Sequence, residues 1–152
     1  MPTLILVRGL PGSGKTDFAK QLVTMGWAWY HTSADQYMVD DNGDYAFDTA
    51  KLPQAHASCK KRTRDLLASG SNVIVHNTFT QRWEMEPYIK MAKATKSRLV
   101  VLSLYDGGLT DEQLLERGLH DVPPEALKRM RGRYEHDWKN GDPRAPWQKK
   151  AT

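Results

Sequence analysis

The fold is decided near the amino terminus by Gly9-Leu10-Pro11-Gly12-Ser13-Gly14-Lys15-Thr16. This stretch satisfies the pattern G-x-x-x-x-G-K-[ST], in which glycines let the backbone approach a phosphate chain closely. Residues 3–7 just before it form a continuous apolar run, which is typical of a strand buried on both faces. Phe18, Leu22 and Met25 follow it at helical spacing. A strand, a glycine-rich loop and a helix in this order predict a phosphate-binding loop (P-loop).

The residue types of this loop suit the chemistry of a nucleoside triphosphate. Successive backbone N–H groups are expected to form a nest for anions at the positive end of the following helix. Lys15 can reach the β- and γ-phosphates, and the Thr16 hydroxyl can ligate Mg²⁺. We therefore expect ATP and Mg²⁺ as ligands. The expected nucleotide-binding residues are Gly9, Leu10, Pro11, Gly12, Ser13, Gly14, Lys15 and Thr16.

Strands and helices alternate along the rest of the chain. Three further strands are predicted at 28–31, 72–76 and 98–104, and helices at 51–69, 81–94, 110–118 and 124–134. This alternation favours an α/β, three-layer P-loop NTPase fold, with a parallel sheet flanked by helices and a small helical lid. We expect one P-loop domain over 1–139, with the lid at about 110–123, and a C-terminal tail over 140–152.

Composition excludes several classes of protein. The chain has 152 residues, with 22 Lys and Arg against 18 Asp and Glu, and 39% of its residues are hydrophobic, too many for a disordered chain. No apolar run approaches the roughly 18–20 residues that span a membrane, and the amino terminus lacks the features of a signal peptide. The single cysteine, Cys59, fits a reducing cytoplasm. We expect a cytoplasmic protein with no membrane partner and no obligate protein partner.

The P-loop alone does not distinguish kinases, GTPases and motor ATPases. The third predicted strand ends at Val75-His76-Asn77-Thr78, and the fourth ends near Tyr105 with Asp106 after it, so neither ends on an obvious Mg²⁺-binding carboxylate. The chain also has no Asn-Lys-x-Asp segment for reading guanine. A small phosphotransferase is the simplest interpretation.

A kinase that acts on a hydroxyl needs a carboxylate to accept the hydroxyl proton. Asp35 follows the second strand, and strand carboxyl ends line the ligand crevice of an α/β sheet, so we expect Asp35 to be the general base. A helix cap or turn aspartate is the alternative. Arg117 is expected to be a lid arginine that neutralises phosphate charge, with an exposed helix charge as the alternative. Arg129, Arg131 and Arg133 are expected on a solvated or DNA-facing surface.

Candidate acceptor-binding residues lie in two loops. Asn77 and Thr78 follow the third strand and are positioned to orient Asp35 or the acceptor. Tyr45 and Phe47, together with Asp48, are candidates for an acceptor wall, because aromatic rings stack on bases. A plain structured loop is an equally good interpretation of that segment.

Four segments carry a family resemblance: the P-loop, Ser33-Ala34-Asp35-Gln36-Tyr37, Asn77-Thr78, and Arg117-Gly118-x-x-x-Val122-Pro123-x-x-x-Leu127. Together they resemble the kinase domain of phage polynucleotide kinase and its relatives. The resemblance implies Asp35 as general base, Lys15 and Thr16 on nucleotide and metal, and Arg117 as lid arginine. The sequence departs from that pattern at Met38, where a basic residue is expected, and at His76 or Asn77, where an aspartate is expected.

A second set of segments resembles one part of that group. The segments are Tyr45-Ala46-Phe47-Asp48, Ala55-His56, and the stretch from Asn77 to Tyr88. They are similar to small stand-alone P-loop kinases of tailed phages, some of which phosphorylate 5-hydroxymethyluracil in DNA during thymidine hypermodification. The resemblance implies DNA as partner, the host cytoplasm as location, and contacts from Tyr45, Phe47 and Phe79 to a base drawn out of the stack.

The sequence thus predicts a Mg²⁺-dependent, ATP-using kinase for a hydroxyl on DNA, with 5-hydroxymethyluracil as the favoured acceptor. The catalytic residues expected are Asp35, Lys15 and Arg117. A 5′-hydroxyl polynucleotide kinase acting on DNA or RNA ends is the close alternative. A kinase of small metabolites or nucleosides, and a binding module that holds ATP without turnover, are the remaining ones.

Overall fold

The computed structural model describes residues 1–25, 30–118 and 122–149. The start of the predicted second strand, part of the predicted lid and the end of the tail lie outside the described residues. The regular elements follow this order: β1 (Thr3–Gly9), α1 (Lys15–Thr24), β2 (Tyr30–Thr32), α2 (Leu52–Ala68), β3 (Val73–Asn77), α3 (Arg82–Ala94), β4 (Arg98–Tyr105), α4 (Asp111–Arg117) and α5 (Pro124–Arg133). Short 3-10 helices occur at Ala34–Tyr37, Thr49–Lys51, Trp138–Asn140 and Pro146–Gln148.

Within the described ranges, the strands form one parallel sheet in the order β2-β3-β1-β4. Leu6 of β1 is in register with Val75 of β3 and with Val101 of β4. Parallel neighbours require helical crossovers, which here cover both faces of the sheet. The predicted three-layer α/β P-loop fold is confirmed.

Alternate side chains of the strands pack on opposite sides of the sheet. The face toward α2 and α3 forms the main core, which includes Leu4, Leu6, Val73, Val75, Cys59, Leu67, Met85 and Tyr88. The opposite face packs on α1 through a smaller cluster that includes Val7, Ile74 and Ala19. This arrangement explains why residues 4–7 of β1 and 73–75 of β3 are apolar without alternation.

A third cluster joins the P-loop to the lid helices. Its buried members are Leu10, Leu114, Leu127 and Tyr134. Leu10 is fully buried there although it lies inside the P-loop. The helical lid is therefore packed on the loop that it covers.

Several boundaries differ from the sequence prediction for physical reasons. β1 continues to Gly9, because Arg8 stays in register with Asn77 and Ser103. The 3-10 turn before α2 is capped by the Asp48 carboxylate, which accepts the Ala50 N–H at 2.9 Å. The Asp48 side chain therefore has a local capping role, and its place in an acceptor wall stays a prediction.

Two further features are a proline inside α3 and a contact between aromatic rings of the tail and of α3. Pro87 lies inside α3, not at its start, and because proline has no N–H the Trp83 carbonyl receives no helical bond from it. In the tail, Trp147 meets the Trp83 ring edge-on, with the ring centroids 5.3 Å apart. The division into a domain over 1–139 and a tail over 140–152 stays a prediction. Among the described helices, none is long and apolar enough to cross a membrane.

Candidate nucleotide and acceptor site

The P-loop adopts a backbone that requires glycine at two positions. Gly12 and Gly14 have φ angles of 82° and 100°, in the left-handed region that other residues rarely adopt. A Cβ added to Gly12 would overlap the carbonyl oxygen of Leu114 in α4. α4 can therefore pack this closely on the P-loop only because residue 12 has no side chain.

Two backbone N–H groups at the start of the P-loop donate hydrogen bonds within the fold. The Leu10 N–H donates to the Tyr105 carbonyl at 2.8 Å, and the Gly9 N–H donates to the Thr78 carbonyl at 3.2 Å. These bonds tie the P-loop to the ends of β3 and β4. We expected these N–H groups to bind phosphate, and for Gly9 and Leu10 that expectation is wrong. The N–H groups of the first turn of α1 have no helical partner and remain suited to an anion.

Lys15 and Ser13 hold polar atoms that fit an anionic ligand. Lys15 Nζ donates to the Leu10 carbonyl at 3.0 Å. Removal from water lowers the pKa of Lys15 to about 8, although the negative charge of Asp35 opposes this. Ser13 Oγ is buried, and within the described residues it has no hydrogen-bond partner. A desolvated ammonium and an unsatisfied hydroxyl fit a phosphate group.

Asp35 lies in the 3-10 helix that follows β2, on the same edge of the sheet as the P-loop. Its carboxylate acts electrostatically on Lys15 of the P-loop, on Tyr45 and on His56 of α2. The turn is fixed by Asn77, whose Oδ1 accepts the Ala34 N–H at 2.9 Å. Asn77 is therefore in contact with the turn that carries Asp35. The role of Asn77 in orienting Asp35 stays a prediction, and the hydrogen bond to the Ala34 N–H is its basis.

A pair of histidines links the P-loop to β2. His76 Nδ1 lies 3.4 Å from Thr16 Oγ1, and His76 Nε2 lies 3.1 Å from His31 Nδ1. Burial lowers the pKa of His76 to about 3, and the nearby charges of His31, Lys15 and Lys20 add to this. His76 is therefore neutral at physiological pH. His76 lies at the end of β3, where the kinases that this sequence resembles lead us to expect a carboxylate.

The aromatic residues expected at the acceptor differ in exposure. Tyr45 and Phe47 are 36% and 58% exposed, so both rings are accessible. Burial, with the charge of Asp35, raises the pKa of Tyr45 to about 12. Phe79 is 3% exposed and meets Tyr88 edge-on inside the main core. The expectation that Phe79 contacts a base is wrong, because its ring has no accessible face.

The arginines near the lid fall into two groups. Arg117 is exposed at the end of α4, and its role stays a prediction. Arg131 forms ion pairs with Asp106 at 2.9 Å and with Asp111 at 2.7 Å. Arg133 Nε donates to Thr80 Oγ1 at 3.1 Å. Our expectation of a solvated or DNA-facing surface is wrong for Arg131, which ties α5 to α4 and to the loop after β4.

Sequence reasoning missed Arg8, which is fully buried at the end of β1. Its guanidinium donates to the carbonyls of Phe79 at 2.9 Å, Thr80 at 3.1 Å and Glu135 at 2.8 Å, and lies 4.2 Å from the centroid of the Tyr134 ring. A charged residue directly between an apolar strand and the P-loop was the available signal. Arg8 joins the P-loop strand to the loop before α3 and to the segment after α5.

Met38 is also fully buried, in a cluster with Ala34 and Ala55 that packs the Asp35 turn on α2. Its side chain therefore cannot take the place of the basic residue that the resembling kinases carry at this position. Among the described residues, no group of three or more His, Cys, Asp or Glu is arranged to hold a metal ion.

A P-loop between the first strand and helix, an acidic turn after the second strand and a helical lid define a P-loop kinase-like α/β domain. The chain belongs to the AAA domain family AAA_33, which matches residues 4–136. It is 32% identical to NEDD4-binding protein 2 of Homo sapiens over 134 residues, which are 87% of this chain and 8% of that protein. The chain thus spans less than a tenth of that relative.

The solved structures that share the fold include the following two. A chain of the Pnkp1/Rnl/Hen1 RNA repair complex matches with a TM-score of 0.73 and 19% identity, over 93% of this chain and 46% of that chain. Kti12 of Chaetomium thermophilum, solved with ADP-AlF3, matches with a TM-score of 0.64 and 22% identity, over 95% of this chain and 85% of that chain.

Proposed function

We propose that this chain is an ATP-dependent kinase that transfers the γ-phosphate of ATP to a hydroxyl group of a nucleic acid. The observation that carries the proposal is the position of Asp35. Its carboxylate stands at the same sheet edge as the P-loop and acts on Lys15, the residue whose desolvated ammonium suits the phosphates. A base and an anion site at the same edge of the sheet are the two parts that a hydroxyl kinase needs.

The residues divide the work of the transfer. The acceptor oxygen bonds to the γ-phosphorus while the bond from that phosphorus to the bridging oxygen of ADP breaks, and the hydroxyl proton passes to Asp35. Lys15, the N–H groups of the first turn of α1 and Arg117 balance the phosphate charge. Mg²⁺, with Thr16 as its ligand from this chain, would neutralise the β- and γ-phosphates. The lid over Gly12 excludes water and so limits hydrolysis.

For the acceptor, we place the 5′-hydroxyl end of DNA or RNA first and 5-hydroxymethyluracil in DNA second. The structural likeness to a chain of the Pnkp1/Rnl/Hen1 RNA repair complex supports this order. The burial of Phe79 supports it also, because one of the three aromatic residues assigned to an extracted base is not accessible. The exposed rings of Tyr45 and Phe47 suit either acceptor.

The test supplies Mg²⁺ and γ-labelled ATP with two DNA acceptors. One is a duplex with internal 5-hydroxymethyluracil and phosphorylated 5′ ends, and the other is ordinary DNA with free 5′-hydroxyls. We expect label in the second only, whereas label in the first only would restore the base hydroxyl as the acceptor. Label in neither acceptor, but in free nucleosides or small metabolites, would replace the nucleic-acid substrate with a small molecule.

A binding module that holds ATP without turnover is distinguished by the Asp35→Asn variant. In a kinase, this variant retains nucleotide binding and loses phosphate transfer. In a binding module, wild-type protein transfers no phosphate to any acceptor, and the variant behaves like the wild type. That second pattern would overturn the proposal.

A further inference from the structure

One face of α2 carries a line of basic side chains that begins beside Asp35. His56, Lys60 and Arg64 are spaced four residues apart, so they lie one above the other on the helix. We refer to these three residues as the α2 stripe. Each stripe residue directly follows a buried residue of the helix, at Ala55, Cys59 and Thr63. The stripe therefore runs along the border between the packed and the exposed side of α2.

The first turns of α2 are attached to the catalytic turn. Ala55 packs with Ala34, which directly precedes Asp35, and with Met38, which follows the 3-10 helix that carries Asp35. Burial and the charge of Lys60 lower the pKa of His56, whereas the charge of Asp35 raises it, which places His56 under the influence of both groups. From there the stripe extends about 12 Å to Arg64 at a rise of 1.5 Å per residue.

The positive charge of α2 is largely uncompensated. The helix contains Lys60, Lys61, Arg62 and Arg64, against Asp65 as its acidic residue. Lys61 pairs with Asp65 at 3.1 Å. Neither Lys60 nor Arg64 forms a salt bridge within the described ranges. Among its described residues, the chain thus keeps two cations without a salt bridge, Lys60 and Arg64, on the stripe whose His56 end lies nearest the proposed general base.

We propose that the α2 stripe binds the phosphodiester backbone of a single-stranded nucleic-acid acceptor where the strand extends away from Asp35. This inference rests on the proposed function and adds the surface along which the acceptor strand lies. Backbone phosphates are bound by Lys and Arg without regard to sequence, and each contact releases condensed counterions. The stripe therefore contributes affinity that grows with strand length and does not depend on base identity, and it leaves contacts with the bases to the exposed rings of Tyr45 and Phe47.

The first test measures binding directly, by fluorescence anisotropy of a labelled 12-nucleotide single strand at several salt concentrations. The variant is Lys60→Gln with Arg64→Gln. The matched control is Lys90→Gln with Lys93→Gln, which removes the same charge from exposed positions of α3. We expect the stripe variant to bind about 10-fold more weakly, with a salt slope lower by about 1.4 for two contacts on a single strand. Equal loss in the control, or no loss in the stripe variant, overturns the inference.

The second test uses phosphate transfer to separate this inference from the proposed function. For the wild type we expect a 12-nucleotide acceptor to have a lower KM than a dinucleotide, and for the stripe variant we expect that advantage to shrink about 10-fold. If the wild type transfers phosphate and the advantage is unchanged in the variant, the stripe inference falls and the kinase proposal stands. If the wild type phosphorylates no nucleic acid but the variant loses strand binding, the stripe stands and the kinase proposal falls. Thermal melting of each variant checks that it is folded.

Discussion

His76 Nδ1 lies 3.4 Å from Thr16 Oγ1, so the end of β3 supports the P-loop hydroxyl with a neutral imidazole. The other ring nitrogen of His76 is held by His31 at 3.1 Å. Groups that orient a metal ligand affect metal binding almost as strongly as the ligand itself. If Thr16 is the Mg²⁺ ligand of the proposed kinase, this contact predicts that His76 positions it.

We expect His76→Ala to raise the Mg²⁺ concentration for half-maximal activity about 10-fold, because the Thr16 hydroxyl loses its support. The measurement is a Mg²⁺ titration of phosphate transfer at saturating ATP. His136→Ala is the control, since His136 packs on Tyr105, at a ring distance of 4.5 Å, and not on the P-loop. An unchanged Mg²⁺ requirement in His76→Ala would show that Thr16 needs no such support.

The Asp35→Asn variant tests the general base. We expect kcat to fall by about 10²- to 10⁴-fold, because the amide cannot accept the hydroxyl proton. The affinity for nucleotide should change by less than about 3-fold, since the P-loop is intact. Asp41→Asn is the control, because Asp41 is an exposed acid of the following loop. A parallel loss of nucleotide affinity and kcat would assign Asp35 to nucleotide binding instead.

Arg8 gives a prediction for stability. Replacing it with Met removes the guanidinium donor from the carbonyls of Phe79 and Glu135, and one of the two donors of the Thr80 carbonyl, which keeps the Glu135 N–H. We expect the free energy of unfolding to fall by about 3–5 kcal/mol, as for a broken buried polar network. Urea denaturation measures the loss, with Arg98→Met at the exposed start of β4 as control. A loss in Arg8→Met no larger than in the control would contradict the anchoring role of Arg8.

The fold was predictable because its signals are local. The apolar run of β1, the P-loop glycines and the spacing on α1 each follow from neighbours in sequence, and so does the alternation that predicts a parallel sheet. The place of Arg8 in the sequence marks it as unusual, but its burial, like that of Phe79, depends on contacts with residues far along the chain, which local signals do not show. Arg8 reaches Glu135, and Phe79 meets Tyr88 across the core.

The candidate site also has some parts that were predictable from local sequence and others that were not. The position of Asp35 at the edge of the sheet that carries the P-loop was predictable from its place after a strand, since the carboxyl ends of parallel strands lie at one edge, and its role as general base stays a prediction. The link from Thr16 through His76 to His31 joins three elements, and residue types alone do not show which side chains meet. The first two N–H groups of the P-loop were misassigned for the same reason, because their partners Thr78 and Tyr105 lie at the ends of other strands.

The ion pair between Asp106 and Arg131 gives a pH-dependent prediction. Hydrogen bonds from Arg131 and from the Gly108 N–H hold the pKa of Asp106 below its ordinary value. A carboxyl group with a lowered pKa in the folded state stabilises the protein fully above its unfolded pKa, near 4, and loses that effect as the pH falls through its folded pKa. The lid helices should therefore be held less firmly in acid.

We expect Arg131→Gln to lower the free energy of unfolding by about 1 kcal/mol at pH 7, a value limited by solvent because both side chains are partly exposed. The difference from wild type should shrink as the pH falls below about 4, since a protonated Asp106 no longer pairs with Arg131. Urea denaturation of both proteins at pH 7 and at pH 3 gives the comparison. Arg144→Gln, whose partner Asp142 lies in the tail at 2.9 Å, is the matched control and should have a smaller effect at pH 7. An equal loss for Arg131→Gln at both pH values would mean that the aliphatic stem of Arg131 stabilises the lid, and that its charge does not.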